Sequence, residues 1–339
     1  MHIYEDKSIH VILCIYDPVG NYSRHAATTI TSIFMNTKSH VRIHLIHDST
    51  LSSENRLLLE HTADYFKQSI EFVDIKNEVE TIFYDVDSLT KSFSRGTLFR
   101  LFIHKLIPSV HRFIYLDCDI IVQNDISQLW KAFSGSFPVA AVQDTLQPSF
   151  AIYSLAKKVL RLDRHNYFCA GVCVMDFDLI DPQFDFIAEA KAFFKHFGKV
   201  AILSDQDFLN FIFKNNWQKL DCKFNRFDIN SKGMTEENIF SDHSTIWHLG
   251  TKPWKYSSGL PTEALYWYYY AHSAYSNCLY KSLLETAYNT RYMPEPVGFD
   301  NWKRWLIGCI KWPFIKLKKH LYYYIIITYY YITHIFRER

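Results

Sequence analysis

Ile9–Tyr16 (IHVILCIY) is a short continuous apolar run, the pattern of a strand buried on both faces, and it ends in the turn-forming residues DPVGN. Tyr22–Met35 has helical spacing, and Val41–His47 reads as a second strand. Ser52–Phe66 predicts a helix with Ser52 or Ser53 as its N-cap, and Ile70–Ile75 a third strand. Phe93–Leu106 predicts a helix ending before Pro108, and Phe113–Leu116 a fully apolar strand. Val139–Gln143 and Gly171–Met175 add strands, and Leu179–Phe197 and Asp205–Phe213 add helices, which carries the alternation to about residue 220. Such alternation predicts an α/β fold with a mostly parallel sheet and helices on its faces. From there to about Pro296 turns and aromatics dominate, and no internal repeat is present.

At 339 residues there is room for two domains, or for one large α/β unit with an appendage. Hydrophobic residues at 48% and charged residues at 21% are ordinary, but 27 Phe, 23 Tyr and 8 Trp form a surplus that needs a location. The net charge of +2 is unevenly spread: residues 301–339 hold eight Lys/Arg against Glu338 alone, +7, which leaves −5 for residues 1–300. A mildly acidic body with a strongly basic tail points to a polyanionic partner for the tail. Seven scattered cysteines without a C-x-x-C argue against a disulfide framework or zinc knuckle and for a reducing cytosol. Met1–His10 carries Glu5 and Asp6 and no apolar signal core, so the body is expected not to be exported.

The chain has four D-x-D pairs: Asp85/Asp87, Asp117/Asp119, Asp176/Asp178 and Asp205/Asp207. About one is expected by chance at this Asp content, so context must choose. Only Asp117/Asp119 follows a fully apolar strand, where alternation points both carboxylates off the strand end and turns Cys118 the other way. Ligands of open α/β sheets bind beyond the carboxyl ends of strands. Two carboxylates so close repel unless a cation lies between them, and oxygen ligands suit Mg2+ or Mn2+.

Five stretches, in order, then make the chain resemble glycosyltransferase family 8: CIYDPVGNY, SRGTLFRLFIHKLIP before YLDCDIIV, AVQD at 141–144, YFCAGVCVMDF at 167–177, and LSDQDFLN at 203–210 with HLGTKPW at 248–254. The resemblance runs from about Ile9 to Trp254 and implies a Rossmann-like GT-A fold, a UDP-sugar donor and a retaining transfer. It places Asp17, Asn21 and Tyr22 against the nucleotide, although PVG widens the family's usual Asp-x-Asn. It gives Arg100 to the donor sugar and phosphate, and makes His248 the third metal ligand beside Asp117 and Asp119, which favours Mn2+ over Mg2+. Lys252 would bring charge to the diphosphate and Gly250 close backbone approach. Asp117 and Cys118 would sit at the donor. Gly171 would admit the sugar, and Asp144, Asp205 and Gln206 would orient it and stabilise the reacting centre. Cys169 departs from the family's Tyr-Phe-Asn-Ala-Gly-Val, replacing an amide with a small weak donor in the sugar pocket.

In the tail, Asn301–Trp312 sets Trp302, Trp305, Leu306 and Cys309 on one helical face, with Lys303, Arg304 and Lys311 mostly away, as in interfacial helices. Leu321–Phe336 follows, sixteen residues without Asp, Glu, Lys or Arg, short of the roughly 20 that a spanning helix needs. The tail is therefore expected to lie on an anionic membrane surface and not to cross it, and no nucleic-acid module accompanies its charge.

The domains expected are a GT-A catalytic domain over 1–260, a helical or turn-rich connection over 261–300 and a basic aromatic membrane-associating tail over 301–339. The activity expected is transfer of galactose or glucose from UDP-galactose or UDP-glucose to a glycolipid or oligosaccharide acceptor of the lipopolysaccharide core type. The place expected is the cytoplasm, peripherally on the inner face of the cytoplasmic membrane. A metal-dependent nucleotidyltransferase and a catalytically silent UDP-binding membrane protein are the alternatives.

Overall fold

The computed structural model describes residues 8–75, 95–146, 151–182 and 185–292. The Asp85/Asp87 pair, most of Met1–His10 and the whole basic tail lie outside the described residues.

Ten strands are present among the described residues: β1 (Ile9–Ile15), β2 (Val41–His47), β3 (Ser69–Asp74), β4 (Arg112–Leu116), β5 (Ile120–Val122), β6 (Val139–Gln143), β7 (Phe168–Asp176), β8 (Gln218–Lys219), β9 (Arg226–Phe227) and β10 (Ile246–His248). The longer helices are α1 (Ser23–Asn36), α2 (Ser53–Tyr65), α3 (Ala151–Val159), α4 (Phe186–Phe197), α5 (Ser204–Ile212), α6 (Thr262–Ala271) and α7 (Leu279–Tyr292). Seven strands form one sheet in the order β3-β2-β1-β4-β7-β6-β8, and every pairing is parallel except the two made by β7. A second sheet, β5-β10-β9, stands beside it. This is the mixed, mostly parallel sheet with flanking helices that the alternation predicts.

The apolar run of β1 is continuous because both faces of the sheet are covered. Val11, Leu13 and Ile15 pack with Ala26, Ile30 and Ile33 of α1, while Ile12 and Cys14 pack with Leu98, Phe99 and Phe102 on the other side. The aromatic surplus fills both cores. Phe177, Phe186, Phe193, Phe194, Phe208 and Phe213 gather on one face, and Trp247, Tyr266, Tyr269 and Tyr270 on the other. Each fully buried ring of this kind contributes about 1.5–3 kcal/mol by removal from water. Helix α6 is tied to α1 by His25 Nδ1 and Tyr266 Oη at 2.7 Å, and by Asn36 Nδ2 donating to Tyr269 Oη at 2.8 Å.

Two predicted helices are broken. Within Phe93–Leu106, the described part runs as Arg95–Phe99, a 3-10 turn at Arg100–Phe102, and Ile103–Leu106, which carries Arg100 into the interior. Leu179–Phe197 is interrupted after Ile180: Pro182 cannot continue a helix, and Asp185 opens α4 by accepting from the Ile187 and Ala188 N–H groups at 3.1 and 3.0 Å. Apolar spacing continues across both breaks, so periodicity alone does not reveal them. Ser52 is the cap of α2, accepting from Asn55 N–H at 3.1 Å. No helix of the described residues is long and apolar enough to cross a membrane.

Candidate active site

The strand β4 ends at Leu116, and the next three residues turn into β5 carrying Asp117 and Asp119. Cys118, expected among the donor-binding positions, directs its thiol into the core, with Sγ 3.6 Å from the Cys14 carbonyl oxygen. Because β10 pairs with β5 at His248↔Ile120, the second sheet brings His248 to the acidic turn. Ligand atoms of Asp117, Asp119 and His248 lie within 4.8 Å of one another.

Each of the three has fixed neighbours. Asp117 Oδ1 accepts from Arg100 Nη2 at 2.7 Å and from Tyr115 Oη at 3.0 Å. Asp119 Oδ2 pairs with Lys252 Nζ, while its Oδ1 is buried with no hydrogen-bond partner and lies 3.7 Å from His248 Nε2. Gly171 has no room for a side chain: a Cβ there would meet Asp117 Oδ2 and His248 Cε1, each at 2.7 Å. Burial alone would push the Asp119 carboxyl up, but Lys252 and His248 outweigh it and hold it below its ordinary value. Two carboxylates, one imidazole and an orphaned buried oxygen suit a divalent cation.

Arg100 links this group to α5. Its Nε lies 2.9 Å from Asp205 Oδ2, its Nη1 donates to the Ala170 carbonyl at 2.7 Å, and its guanidinium covers the Tyr115 ring at 3.8 Å. Burial pushes the Asp205 carboxyl up to about 7, against the opposing pull of Arg100. Gln206, the next residue, is held at both ends of its amide: Oε1 accepts from Ala170 N–H at 2.9 Å and Nε2 donates to Asp144 Oδ2 at 3.0 Å. Burial also raises the Asp144 carboxyl. Cys169 is buried, with Sγ 3.9 Å from His248 Nδ1.

A cavity of about 1400 Å3 is lined by Asn21, Tyr22, Lys252, Trp254, Tyr288 and Arg291 among others, and Lys252 links it to Asp119 of the acidic turn. Asp17, expected at the nucleotide, is buried, and its carboxylate shapes the loop. It accepts from Tyr22 N–H at 2.7 Å and Ser23 N–H at 3.1 Å, and from Asn55 Nδ2 at 3.2 Å. Gly250 is crowded by Asp228, whose Oδ1 would lie 3.2 Å from a Cβ there, and Asp228 Oδ2 accepts from Thr251 N–H at 2.7 Å.

Three contributors carry no sequence signal of their own: Tyr115, Asp228 and Asn225, whose Oδ1 lies 3.1 Å from His248 Nδ1. The last two stand in the turn-rich stretch after residue 220, and nothing in their spacing separates them from ordinary turn residues.

The sequence profile described as Glycosyl transferase family 8 matches residues 13–258. The chain belongs to glycosyltransferase family 8. Among curated relatives of this family 8 chain, General stress protein A of Bacillus subtilis (strain 168) is 27% identical over 293 residues, covering 80% of this chain and 96% of that protein. Lipopolysaccharide 1,2-glucosyltransferase of Escherichia coli (strain K12) is 25% identical over 266 residues, covering 70% of this chain and 71% of that protein. The crystal structure of the galactosyltransferase LgtC, solved with donor and acceptor sugar analogs, superposes with a TM-score of 0.63 at 18% identity, covering 78% of this chain and 96% of that one. The family 8 chain thus has the GT-A fold, and it is a glycosyltransferase.

Proposed function

We propose that this glycosyltransferase moves galactose or glucose from a UDP-sugar to a lipid-linked glycan, of the lipopolysaccharide or lipooligosaccharide core type, with retention at the anomeric carbon. The observation that carries the reading is the Asp117, Asp119 and His248 cluster, with its unpartnered Asp119 oxygen, beside a cavity lined by Asn21, Tyr22 and Lys252. The name of the Escherichia coli relative supports the acceptor class.

Asp117, Asp119 and His248 would hold Mn2+ or Mg2+, which when bound supplies positive charge against the departing diphosphate. Lys252 adds a second positive charge there, and Tyr22 and Asn21 face the nucleotide. Arg100 holds Asp117 and Asp205 in one geometry and reaches toward the donor. Gln206 is a weak nucleophile, and its oxygen is already engaged with Ala170 N–H. A front-face transfer is therefore favoured, in which a donor phosphate oxygen takes the acceptor's proton and Gln206, Asp205 and Asp144 support the oxocarbenium-like centre. Cys169, in place of the family's Asn, sets donor preference. The basic aromatic residues 301–339 hold the enzyme on the inner face of the cytoplasmic membrane, where lipid-linked acceptors are found.

The test is metal-dependent release of UDP from a panel of UDP-sugars, with Mn2+ and Mg2+ compared. Release by wild type and its loss in Asp119→Ala are expected. Protein that binds neither metal nor UDP would sink the reading, and UDP binding without turnover on any acceptor would favour a silent binding protein.

A further inference from the structure

The imidazole of His248 is confined by residues outside the proposed metal triad. Phe227, its register partner across β9 and β10, stacks on the ring with centroids 4.9 Å apart and planes at 23°. Gly171 closes another side, where even one methyl group would collide with Cε1. Nδ1 meets two groups, the Cys169 thiol and, closer, Asn225, 2% exposed, which sets Oδ1 3.1 Å from it.

Local structure holds Asn225 in place. Asp221 caps the turn Cys222–Phe224 by accepting from Lys223 N–H at 2.8 Å, and Asn225 N–H donates to the Cys222 carbonyl at 3.1 Å. The chain then enters β9, whose pairing with β10 sets Asn225 beside the histidine.

A neutral imidazole has one N–H to place. With the proton on Nδ1 and donated to Asn225 Oδ1, Nε2 keeps its lone pair on the side of Asp119, whose Oδ1 is 3.7 Å away. The reverse setting of the amide would make Asn225 the donor, put the proton on Nε2 and remove that lone pair. The Cys169 thiol, 3.9 Å from Nδ1, is a weaker acceptor than an amide oxygen.

We propose that Asn225 is a positioning residue that fixes the Nδ1–H tautomer of His248 and so makes Nε2 available as a metal ligand. The inference rests on the metal reading above. Partners of this kind affect metal affinity by about 10- to 100-fold.

Two measurements test it. In the first, Mn2+ is titrated by electron paramagnetic resonance into full-length protein without donor or acceptor. Asn225→Leu, which lacks an acceptor, is expected to weaken Mn2+ by about 10- to 100-fold, while Asn225→Asp stays close to wild type. Wild type that takes up no Mn2+ overturns the metal reading and this inference together. Wild type that binds, with Asn225→Leu binding equally tightly, overturns this inference alone. The second needs no substitution at Asn225: 15N resonances of the histidine rings in metal-free protein, with His248 identified by its loss in His248→Gln, should show Nδ1 protonated and Nε2 bare. The opposite tautomer overturns the proposal.

Discussion

Arg100 Nη2 donates to Asp117 Oδ1 at 2.7 Å, and this bond leaves the other Asp117 oxygen beside Gly171 and His248. The same guanidinium lies against Asp205, so one buried cation serves two carboxylates from different elements.

Arg100→Met should therefore cost up to about 3–5 kcal/mol of stability, because the buried Asp205 and the part-exposed Asp117 lose their shared counter-charge. Denaturant unfolding reads this directly. Arg100→Lys restores a charge but not the planar fork that reaches Asp117, Asp205 and Ala170 together, so it should recover stability in part and leave UDP release far below wild type. Equal activity in Arg100→Lys would show that the fork geometry is irrelevant.

Gly171→Ala should abolish Mn2+ uptake and turnover while the protein stays folded. The added methyl has to displace Asp117 or His248, each at 2.7 Å from its ideal position. Circular dichroism and Mn2+ titration on the same sample separate this from simple unfolding. Unchanged uptake would mean that the triad is not where the cation binds.

Asp205 gives a pH-dependent stability with a definite sign. Its carboxyl moves from an ordinary 3.8 to about 7 through burial, so folding favours the protonated form. The contribution is full below about pH 4 and is lost as pH rises to about 7, by at most about 4 kcal/mol. Asp205→Asn lacks the titrating group, so the wild-type stability relative to it should fall across that window and be flat above it. A flat difference between pH 4 and 7 would refute the shift.

Lys157, 4% exposed, pairs with Asp207, which also accepts from Tyr167 Oη at 2.7 Å and Leu203 N–H at 2.8 Å. Lys157→Met leaves Asp207 buried without its cation and should cost about 3–5 kcal/mol. Adding Asp207→Asn should return part of that loss, and a double-mutant cycle by thermal unfolding measures the coupling. Strict additivity of the two substitutions would show that the pair does not interact.

What can be read from the chain is mostly local. Val11, Ile12, Leu13 and Cys14 announce a strand covered on both faces, and Ser52 caps the helix it precedes, because both effects act within a few residues. Asp117 and Asp119 are distinguishable from three similar pairs only by the apolar strand before them. The break at Arg100 is hidden, since the carboxylates its side chain meets there, Asp117 and Asp205, lie on other elements. Asp17 also braces its own loop, which the chain does not announce, for its partners Tyr22, Ser23 and Asn55 are assembled only by folding. Asn225 has no signal at all, because its meaning depends on which ring nitrogen of His248 it meets.

The placement of His248 on β10 has a consequence for synthesis. The seven strands of the main sheet are complete at Lys219, but the imidazole arrives only with β10. At about 5–20 residues per second, the ribosome adds the stretch from the acidic turn to that histidine in on the order of 10 s. A nascent chain can thus have made every strand of its main sheet before His248 and the core residues Trp247, Tyr266, Tyr269 and Tyr270 exist, so the sheet face they cover and the proposed cation cluster are both completed only late in synthesis.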